Sequence, residues 1–474
     1  MMASATAEAM DVVDTAWLRT DNAVNQMVIL GVWMLRPRIS HAVLCQRLSD
    51  KLLKYKRFRQ RVVQGTLSSD WEIDPGFDIH RHVVVEKLKR RRGQTDRQAL
   101  QERASELASA PFDHAHPLWQ FHLVEHCDGG SALLCRVHHC IGDGVALSTV
   151  MMSITDDGPI PPEHPRGTAS PSTDWLSLAS LQTVAEWGAK SLAQLQHPGQ
   201  LLSDAAGLLK KGQQAVSDAA ALALMPDDSP TRLKGRSAGL KRVAWCEPLA
   251  LDRVKAVGYA LGCSVNDVLV ACVAGAIGRY LQDQGDDPTG KDIRAMVPVN
   301  LRPLDQPPWE LGNRFGLAPL LMPIGIDNPV ERVYEVRRRM AELKDNYQPL
   351  LAYGVLALAG LLIKPGQDAL MGLFQAKTTA IVTNVRGPDT PLRLCGAEVY
   401  EVVFWVPTAG DIGLGVSIMS YAGAVQFGLR TDEALCAEPQ AVIDQFVAEF
   451  DKLTLLTLML PWEGRQGKGK SSQA

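Results

Sequence analysis

Apolar positions in the first third of the chain switch between the alternating period of strands and the longer period of helices. The segments QMVILGVWML and GSALLCRVHH are nearly continuous apolar runs, which are typical of buried strands. The segments SHAVLCQRLSDKLLKY and RQALQERASELAS space their apolar residues three and four positions apart, as one face of a helix does. Residues 1–157 are therefore predicted to form a mixed α/β domain.

The pattern changes between residues 158 and 238, where helical spacing lies between Pro-rich breaks such as GPIPPEHPRG and PDDSP. This stretch is predicted to be a helical connection. Residues 239–463 return to α/β patterning, with predicted strands KRVAWCEP, IRAMVPVNL, TAIVTNV and the pair LGVSIMSY and AVQFGLR around a short Ala-Gly turn. Residues 464–474 are small and polar, and we predict a disordered tail.

The composition is that of a globular protein and argues against several classes of function. The 474 residues are 46% apolar and 21% charged, which allows a large core divided between two domains. A formal net charge of −3 gives no general basic bias, so a nucleic-acid partner is not expected. The nine cysteines include no CxxC pair, and the N-terminus has no secretory signal pattern, which favours a cytoplasmic protein.

The strongest candidate for chemistry is ALLCRVHHCIGDGVAL, in which an apolar strand ends at two adjacent histidines. Side chains alternate between the faces of a strand, so His138 and His139 are expected to point in opposite directions and not to share a metal. Gly144 and the glycine before Asp143 permit a tight turn that directs Asp143 back toward a histidine. The segment therefore predicts a histidine that acts as a base and is held in place by Asp143. The alternative is a histidine satisfied in the core, with Asp143 as a helix N-cap.

The heptad HHCIGDG matches HHxxxDG, and the chain resembles the bacterial wax ester synthase/diacylglycerol acyltransferase family, related in fold to chloramphenicol acetyltransferases and condensation domains. Other segments follow the family's order: PLW at 117–119, ND at 266–267, VNLRP at 299–303, LGNRF at 311–315 and NVRGP at 384–388. The resemblance implies an α/β fold of two chloramphenicol-acetyltransferase-like domains with a cleft at their interface. The chain departs from the family pattern at NAVNQMVILG, Gln120 and TRLKG, and these departures bear on the acyl-acceptor preference and not on the reaction class.

The resemblance also implies an activity and roles for the motif residues. A long-chain acyl group would move from acyl-coenzyme A to a fatty alcohol or diacylglycerol, with His139 as general base and no covalent acyl-enzyme. Acyl-coenzyme A would be a substrate, and no cofactor or metal is implied. His138 would support the strand end, and Asp143 would fix the turn, paired with Arg302. The alternative for Arg302 is a surface charge before a turn.

Four further positions have functional and structural interpretations. Asn266 could stabilise a substrate carbonyl oxygen, or it and Asp267 could belong to a capped first helical turn. Asn384 is expected to shape a loop over the cleft or to end a strand. Trp119 is expected to pack beside the cleft.

Two segments bear on where the protein works. The basic run KLKRRR at 87–92 could attract anionic headgroups or coenzyme A phosphates, or form a solvated loop. Residues 350–363, LLAYGVLALAGLLI, are too short to span a bilayer and could form a core helix, an acyl-chain wall or a membrane-facing surface. We expect peripheral association with the inner membrane or lipid inclusions.

Two rival functions remain open, a carrier-protein-dependent condensation enzyme and a non-catalytic lipid-binding protein. The latter would not need His139 and Asp143. The pairs His80/His82 and His114/His116 match no closed zinc ligand set with cysteine, so no metal site is predicted. The sequence does not indicate an oligomeric state.

Overall fold

A computed structural model of the protein describes residues 7–65, 69–159, 224–302, 311–345 and 364–459. Its α-helices are α1 Val12–Thr20, α2 His41–Lys51, α3 Ile79–His82, α4 Asp96–Ser109, α5 Gly144–Ser153, α6 Leu251–Leu261, α7 Val265–Asp283, α8 Pro329–Asp345, α9 Lys364–Ala376 and α10 Pro439–Leu458. Two 3-10 turns, Leu52–Lys54 and Lys56–Arg59, follow α2. Its strands are β1 Glu8–Ala9, β2 Val28–Arg36, β3 Gln60–Gln64, β4 Ser69–Ile73, β5 Val83–Glu86, β6 Trp119–Cys127, β7 Gly130–His138, β8 Lys241–Trp245, β9 Leu249–Ala250, β10 Ile293–Asn300, β11 Phe315–Met322, β12 Ala380–Arg386, β13 Leu392–Leu394, β14 Ala397–Trp405, β15 Leu414–Tyr421 and β16 Ala424–Asp432.

The elements near the N-terminus follow from local pattern. The apolar runs predicted as strands form β2 and β7, which pair antiparallel and are buried at nearly every position because both sheet faces are covered. The helical runs form α2 and α4, and α4 begins at a capping box between Thr95 and Gln98. These element predictions are confirmed, as are the strands β8, β10, β12, β15 and β16 of the second half.

The strands form two large sheets and one small one. The first large sheet has the order β13-β14-β2-β7-β6-β5, and the second has the order β11-β10-β12-β15-β16-β8, with β9 also pairing with β16. The small sheet has the order β1-β4-β3.

Two strands from the second half of the chain complete the first large sheet. β14 pairs antiparallel with β2, from Glu398 opposite Arg36 to Trp405 opposite Leu30, and β13 extends the same edge. The first sheet therefore takes in residues far outside 1–157, although the two halves follow each other in the sequence.

Helix α4 and a buried arginine connect the two large sheets. Leu30 of β2 and Leu100 of α4 belong to one apolar cluster with Trp245 of β8, so α4 lies between the sheets. Arg430 of β16 is fully buried and its Nη1 donates to the Val28 carbonyl of β2 at 2.8 Å. The two halves are thus held by a shared strand pair, a shared core and a buried polar contact.

Several predicted segments lie wholly or mostly outside the described residues. These are the helical connection apart from 158–159 and 224–238, the apolar segment 350–363 and the tail 464–474. Among the described helices, none is by itself long and apolar enough to cross a membrane. The pair α6 and α7 passes such a test only when combined, across a bend of 96°.

Candidate active site

The HHxxxDG segment forms the turn between β7 and α5. Asp143 is the N-cap of α5, and its Oδ1 accepts hydrogen bonds from the Val145 and Ala146 N–H groups at 3.1 and 3.0 Å. His138 ends β7, and its Nδ1 accepts from the Cys140 N–H at 3.1 Å. Both motif ends are therefore fixed by backbone groups, so the position of His139 between them is well defined.

The two histidines have separate neighbours, as expected from the alternation of side chains along a strand. His139 stacks on the indole of Trp17, with ring centroids 4.3 Å apart and planes inclined by 16°. Phe315 lies on the same ring at 5.7 Å. His138 instead faces Asp21, with Nε2 3.6 Å from the carboxylate Oδ2.

Burial sets the protonation state of His139. The side chain is buried among aromatic rings, and this desolvation lowers its pKa to about 4. The negative charge of Asp143 acts in the opposite direction but is the weaker influence. Among the described residues, no hydrogen-bond partner is found for the Nδ1 atom. His139 is thus a neutral imidazole at neutral pH.

Asp21 supports the other histidine. Burial alone would raise the pKa of its carboxyl group, but His114, His138 and the Met27 N–H hold the pKa well below its usual value. Oδ2 lies 3.6 Å from both His114 Nε2 and His138 Nε2. Asp21 is therefore ionised and fixes His138 from the side of the strand away from His139.

Asp143 and Arg302 form the predicted pair. Arg302 Nη2 donates to Asp143 Oδ2 at 2.9 Å and to the Gly312 carbonyl at 2.6 Å. The Arg314 N–H donates to the same carboxylate oxygen at 2.8 Å. With both oxygens of Asp143 occupied by the helix start and by these donors, its contacts are those of a positioning residue.

Sequence reasoning gave no role to Asn313, Asp14 and Trp17. Asn313 Nδ2 donates to the His139 carbonyl and to Asp14 Oδ1, both at 2.8 Å, and the Asn313 N–H donates to the same Oδ1 at 3.1 Å. Burial, with help from the nearby Asp11 charge, raises the pKa of Asp14 to about 7. Asn313 lies in LGNRF, one of the segments that resemble the family, and this resemblance could have indicated a role for it. No feature of the sequence indicated a role for Asp14 or Trp17.

Asn266 and Asn384 are brought together at the start of α7. Asn384 Nδ2 donates to Asn266 Oδ1 at 2.7 Å. Asp267 forms a capping box with Ser264, accepting from its N–H at 2.8 Å while the hydroxyl accepts from the Asp267 N–H at 3.1 Å. In the described part of the chain, no hydrogen bond between either asparagine and His139 is found, whereas the two asparagines bond to each other.

Trp119 lies in the core of the first half. Its indole Nε1 donates to the Phe58 carbonyl at 2.9 Å, and its ring stacks on His82 at 4.5 Å. The side chain is fully buried. Trp119 therefore packs behind Phe58 and Phe121, which themselves face a cavity.

An apolar cavity of about 550 Å³ opens beside the motif. Gly144 lines it, and a Cβ atom added there would meet no other atom within 4 Å, so this glycine leaves the space next to the motif open. The other lining residues include Ile29, Trp33, Val137, Leu147, Met151, Pro388, Val402 and Met419. Among the described residues that line the cavity there is no carboxylate, and the one guanidinium is that of Arg386.

Comparison with known proteins identifies the family. The model of the wax ester synthase/diacylglycerol acyltransferase catalytic domain matches residues 10–269, and the model of the WS/DGAT C-terminal domain matches residues 311–454. The chain belongs to this family. A Mycobacterium tuberculosis relative named "Probable diacyglycerol O-acyltransferase" is 26% identical over 440 residues, covering 90% of this chain and 91% of the relative. A second protein of that organism, also named as a diacyglycerol O-acyltransferase, is 31% identical over 396 residues, covering 81% and 83%.

Solved structures confirm the predicted fold of this WS/DGAT family member. The wax ester synthase/diacylglycerol acyltransferase from Marinobacter aquaeolei VT8 superposes with a TM-score of 0.66 at 22% identity, covering 95% of this chain and 100% of that one. The first condensation domain of the calcium-dependent antibiotic synthetase superposes with a TM-score of 0.59 at 15% identity, covering 96% and 97%. At these identities the likeness shows a shared two-part α/β fold and nothing about substrates.

Proposed function

We propose that this protein transfers a long-chain acyl group from acyl-coenzyme A to the hydroxyl of a fatty alcohol or a diacylglycerol. The observation that carries the proposal is a neutral, buried His139 in a fixed turn whose Gly144 opens onto an apolar cavity. Membership of the WS/DGAT family supports the reaction class. The names of the mycobacterial relatives support diacylglycerol as one acceptor.

In the proposed reaction His139 acts as general base. The ring accepts the proton of the acceptor hydroxyl while the hydroxyl oxygen forms a bond to the thioester carbonyl carbon. The carbon–sulfur bond then breaks, and His139 returns the proton to the departing thiolate. The products are an ester and free coenzyme A, and no bond forms between the acyl group and the enzyme. The prediction that no cofactor or metal takes part is retained.

Burial keeps the His139 ring unprotonated at neutral pH, and the unprotonated ring is the form that can accept a proton. Asp143 contributes by geometry. It connects the start of α5 to Arg302 and the Arg314 N–H, which belong to the other half of the chain. The motif and the opposing wall of the cleft are thereby kept in one relative position, which a two-substrate reaction requires.

Asn266 is the proposed support for the carbonyl oxygen. Its Oδ1 accepts from Asn384, which fixes the orientation of the amide and leaves its Nδ2 hydrogens as donors. A fixed amide donor beside a helix N-terminus stabilises the negative charge that develops on a carbonyl oxygen.

The apolar cavity is the proposed binding place of an acyl chain. Transfer of an acyl chain from water into an apolar cavity is favourable, and the chain forms no hydrogen bonds or ion pairs. The described lining consists mainly of aliphatic and aromatic side chains.

We also propose that the protein works at the surface of a membrane or lipid inclusion, since its substrates and products are barely soluble in water. The end of α10 exposes Leu455, Leu458 and Met459 by 63%, 64% and 81%. In the basic run at 87–92, Arg90 and Arg91 pair with Asp96 and Glu102 at 2.8 and 3.4 Å, and we assign the main contact with the lipid to the apolar side chains of α10.

One assay tests the activity and separates it from the rivals. Purified protein is incubated with a long-chain acyl group, carried by coenzyme A or by a carrier protein, and with a fatty alcohol, a diacylglycerol or no acceptor, and free thiol and lipid products are measured. We expect thiol release matched by ester in at least one acceptor arm. Ester formation only from a carrier-protein-bound acyl donor, or acyl-coenzyme A binding without turnover, would contradict the proposal.

A further inference from the structure

Three side chains with metal-binding atoms meet at the β5 edge of the first sheet, in a cluster formed by His41, Cys45 and His80. His41 and Cys45 lie four residues apart on one face of α2, and His80 lies on α3. Cys45 Sγ is 3.3 Å from His41 Nε2 and 4.0 Å from His80 Nδ1. All three ligand atoms lie within 4.8 Å of one another.

The distances fit a tetrahedral ion. With zinc–sulfur bonds of about 2.3 Å and zinc–nitrogen bonds of about 2.0–2.1 Å, neighbouring S and N ligands of one zinc ion are about 3.6 Å apart. The two Sγ–N distances in the cluster lie on either side of this value. A thiolate and two imidazoles are also donors that suit zinc, whereas harder cations favour oxygen ligands.

Two neighbouring histidines, His82 of α3 and His116, have other partners. His82 Nδ1 contacts the Trp119 carbonyl at 2.7 Å, and His116 Nδ1 contacts Asp74 at 2.9 Å. His80 is therefore separated from both. Its partners come from α2, some 35 positions earlier in the chain.

The cluster is supported and accessible. Asp78 caps α3 by accepting from the His80 N–H at 3.0 Å, and Ser40 caps α2. Cys45 is buried whereas His80 is exposed, so an ion can enter from the His80 side. One existing contact competes, because His41 Nε2 lies 2.9 Å from the Val83 carbonyl and would exchange that hydrogen bond for the metal.

We propose that His41, Cys45 and His80 form a zinc site with a water molecule in the fourth position, which joins α2 to α3. The site uses none of the motif residues, so its role is to stabilise the first half of the chain. Zinc that binds only the folded chain raises stability in proportion to the logarithm of its free concentration. The thiol loses its proton to the solvent on binding, and each imidazole binds as the neutral ring with its one N–H on the nitrogen away from the metal.

Cobalt(II) is the probe, because a bound thiolate gives it a charge-transfer absorption band that water and imidazole ligands do not. Chelator-treated, reduced full-length protein is titrated with cobalt and then with zinc. We expect one cobalt per chain, a thiolate band that zinc removes, and a zinc-dependent rise in Tm. The matched control is Cys263→Ser, a partly exposed cysteine on another part of the chain, which should leave all three unchanged.

Cys45→Ser should abolish the band and the zinc-dependent rise in Tm, with acyl transfer retained. If Cys45→Ser does not fold, the exposed His80→Ala serves instead and should weaken cobalt binding at least about 10-fold. A wild type without the band, or a band that persists in Cys45→Ser or is equally strong in His80→Ala, would overturn the proposal.

Discussion

At the scale of single residues, the site depends on burial more than on direct hydrogen bonds between its titratable groups. His139 is flanked by Trp17 and Phe315 and is neutral because water is excluded, not because a carboxylate is bonded to it. Asp143, which the sequence placed as its neighbour, is instead occupied by backbone N–H groups and Arg302. A base of this kind acts through its position and its desolvation.

The first prediction is that His139→Ala lowers the rate of acyl transfer by about 10² to 10⁴-fold, the usual cost of losing a general base. The ring packs against Trp17 and Phe315, and no hydrogen-bond partner is found for its Nδ1 atom among the described residues, so we expect the fold to survive the change. Thiol release is measured together with the circular dichroism spectrum. His138→Ala is the matched comparison, and it should lower Tm because it removes a fully buried ring that faces Asp21. Near wild-type thiol release from a folded His139 variant would show that the base is wrongly assigned.

A second prediction concerns Asp14, whose pKa is raised from 3.8 to about 7 by burial. The folded chain keeps this proton between about pH 4 and 7, where the unfolded chain has lost it. Asp14 therefore contributes less stability as pH rises through this range. Asp14→Asn keeps an oxygen acceptor for Asn313 without a charge, so its Tm relative to wild type should rise with pH across the range and then level off.

The lowered pKa of His139 has the opposite effect on the pH dependence of stability, since the contribution of His139 falls as pH drops below the ordinary histidine pKa. His139 is present in both proteins, so this effect cancels in the Tm difference between them. Asp252→Asn is the control, because the Asp252 side chain is 94% exposed. A Tm difference between Asp14→Asn and wild type that stays constant from pH 4 to 8 would mean that Asp14 is ionised throughout.

At the scale of elements, the local pattern of residues was sufficient to predict the structure of those segments that depend only on their own sequence. The hairpin of β15 and β16 was predicted around an Ala-Gly turn, and Ala422 and Gly423 both have the positive φ that such a turn requires, 47° and 77°. The N-cap of α5 by Asp143 was also visible as an alternative. The contact of Asn313 with the His139 carbonyl was not predictable from local pattern, because it joins residues 174 positions apart and depends on tertiary packing.

The third prediction tests how the motif turn is connected to β10. Asp143 and Arg302 are both nearly buried, and removing one partner of a buried pair costs about 3–5 kcal/mol. Each single alanine variant should lose stability and activity. Asp143→Ala should lose more, since it also removes an N-cap worth about 1 kcal/mol. Urea unfolding and rates of Asp143→Ala, Arg302→Ala and the double variant complete a cycle, and strictly additive effects would mean that the pair does not interact.

At the scale of the whole molecule, the sequence indicated two α/β halves but not how they are joined. The prediction placed the first domain at 1–157, and no local feature of β14 shows that it pairs with β2 some 370 positions earlier, or that β13 then extends the same sheet. Pairing between strands so far apart in the chain depends on tertiary packing, which local periodicity does not encode. The shared sheet keeps the walls of the cavity, which come from both halves, in one body.

The last prediction concerns the lipid surface. The end of α10 exposes three large apolar side chains, and inserting a leucine into an apolar phase gains up to about 1.5–3 kcal/mol. We expect wild-type protein to sediment with neutral and anionic vesicles, and the double variant Leu455→Asp, Leu458→Asp to bind at least about 10-fold more weakly, even with partial insertion. Salt should change the binding to vesicles little, because the contact is apolar and Arg90 and Arg91 are already paired.

The matched control is Leu240→Asp, a leucine 57% exposed at a different part of the surface, which should bind like wild type. If wild type sedimented with neither vesicle, or if Leu240→Asp weakened binding equally, α10 would not be the lipid-contacting surface, and the substrates would have to reach the cavity by another route.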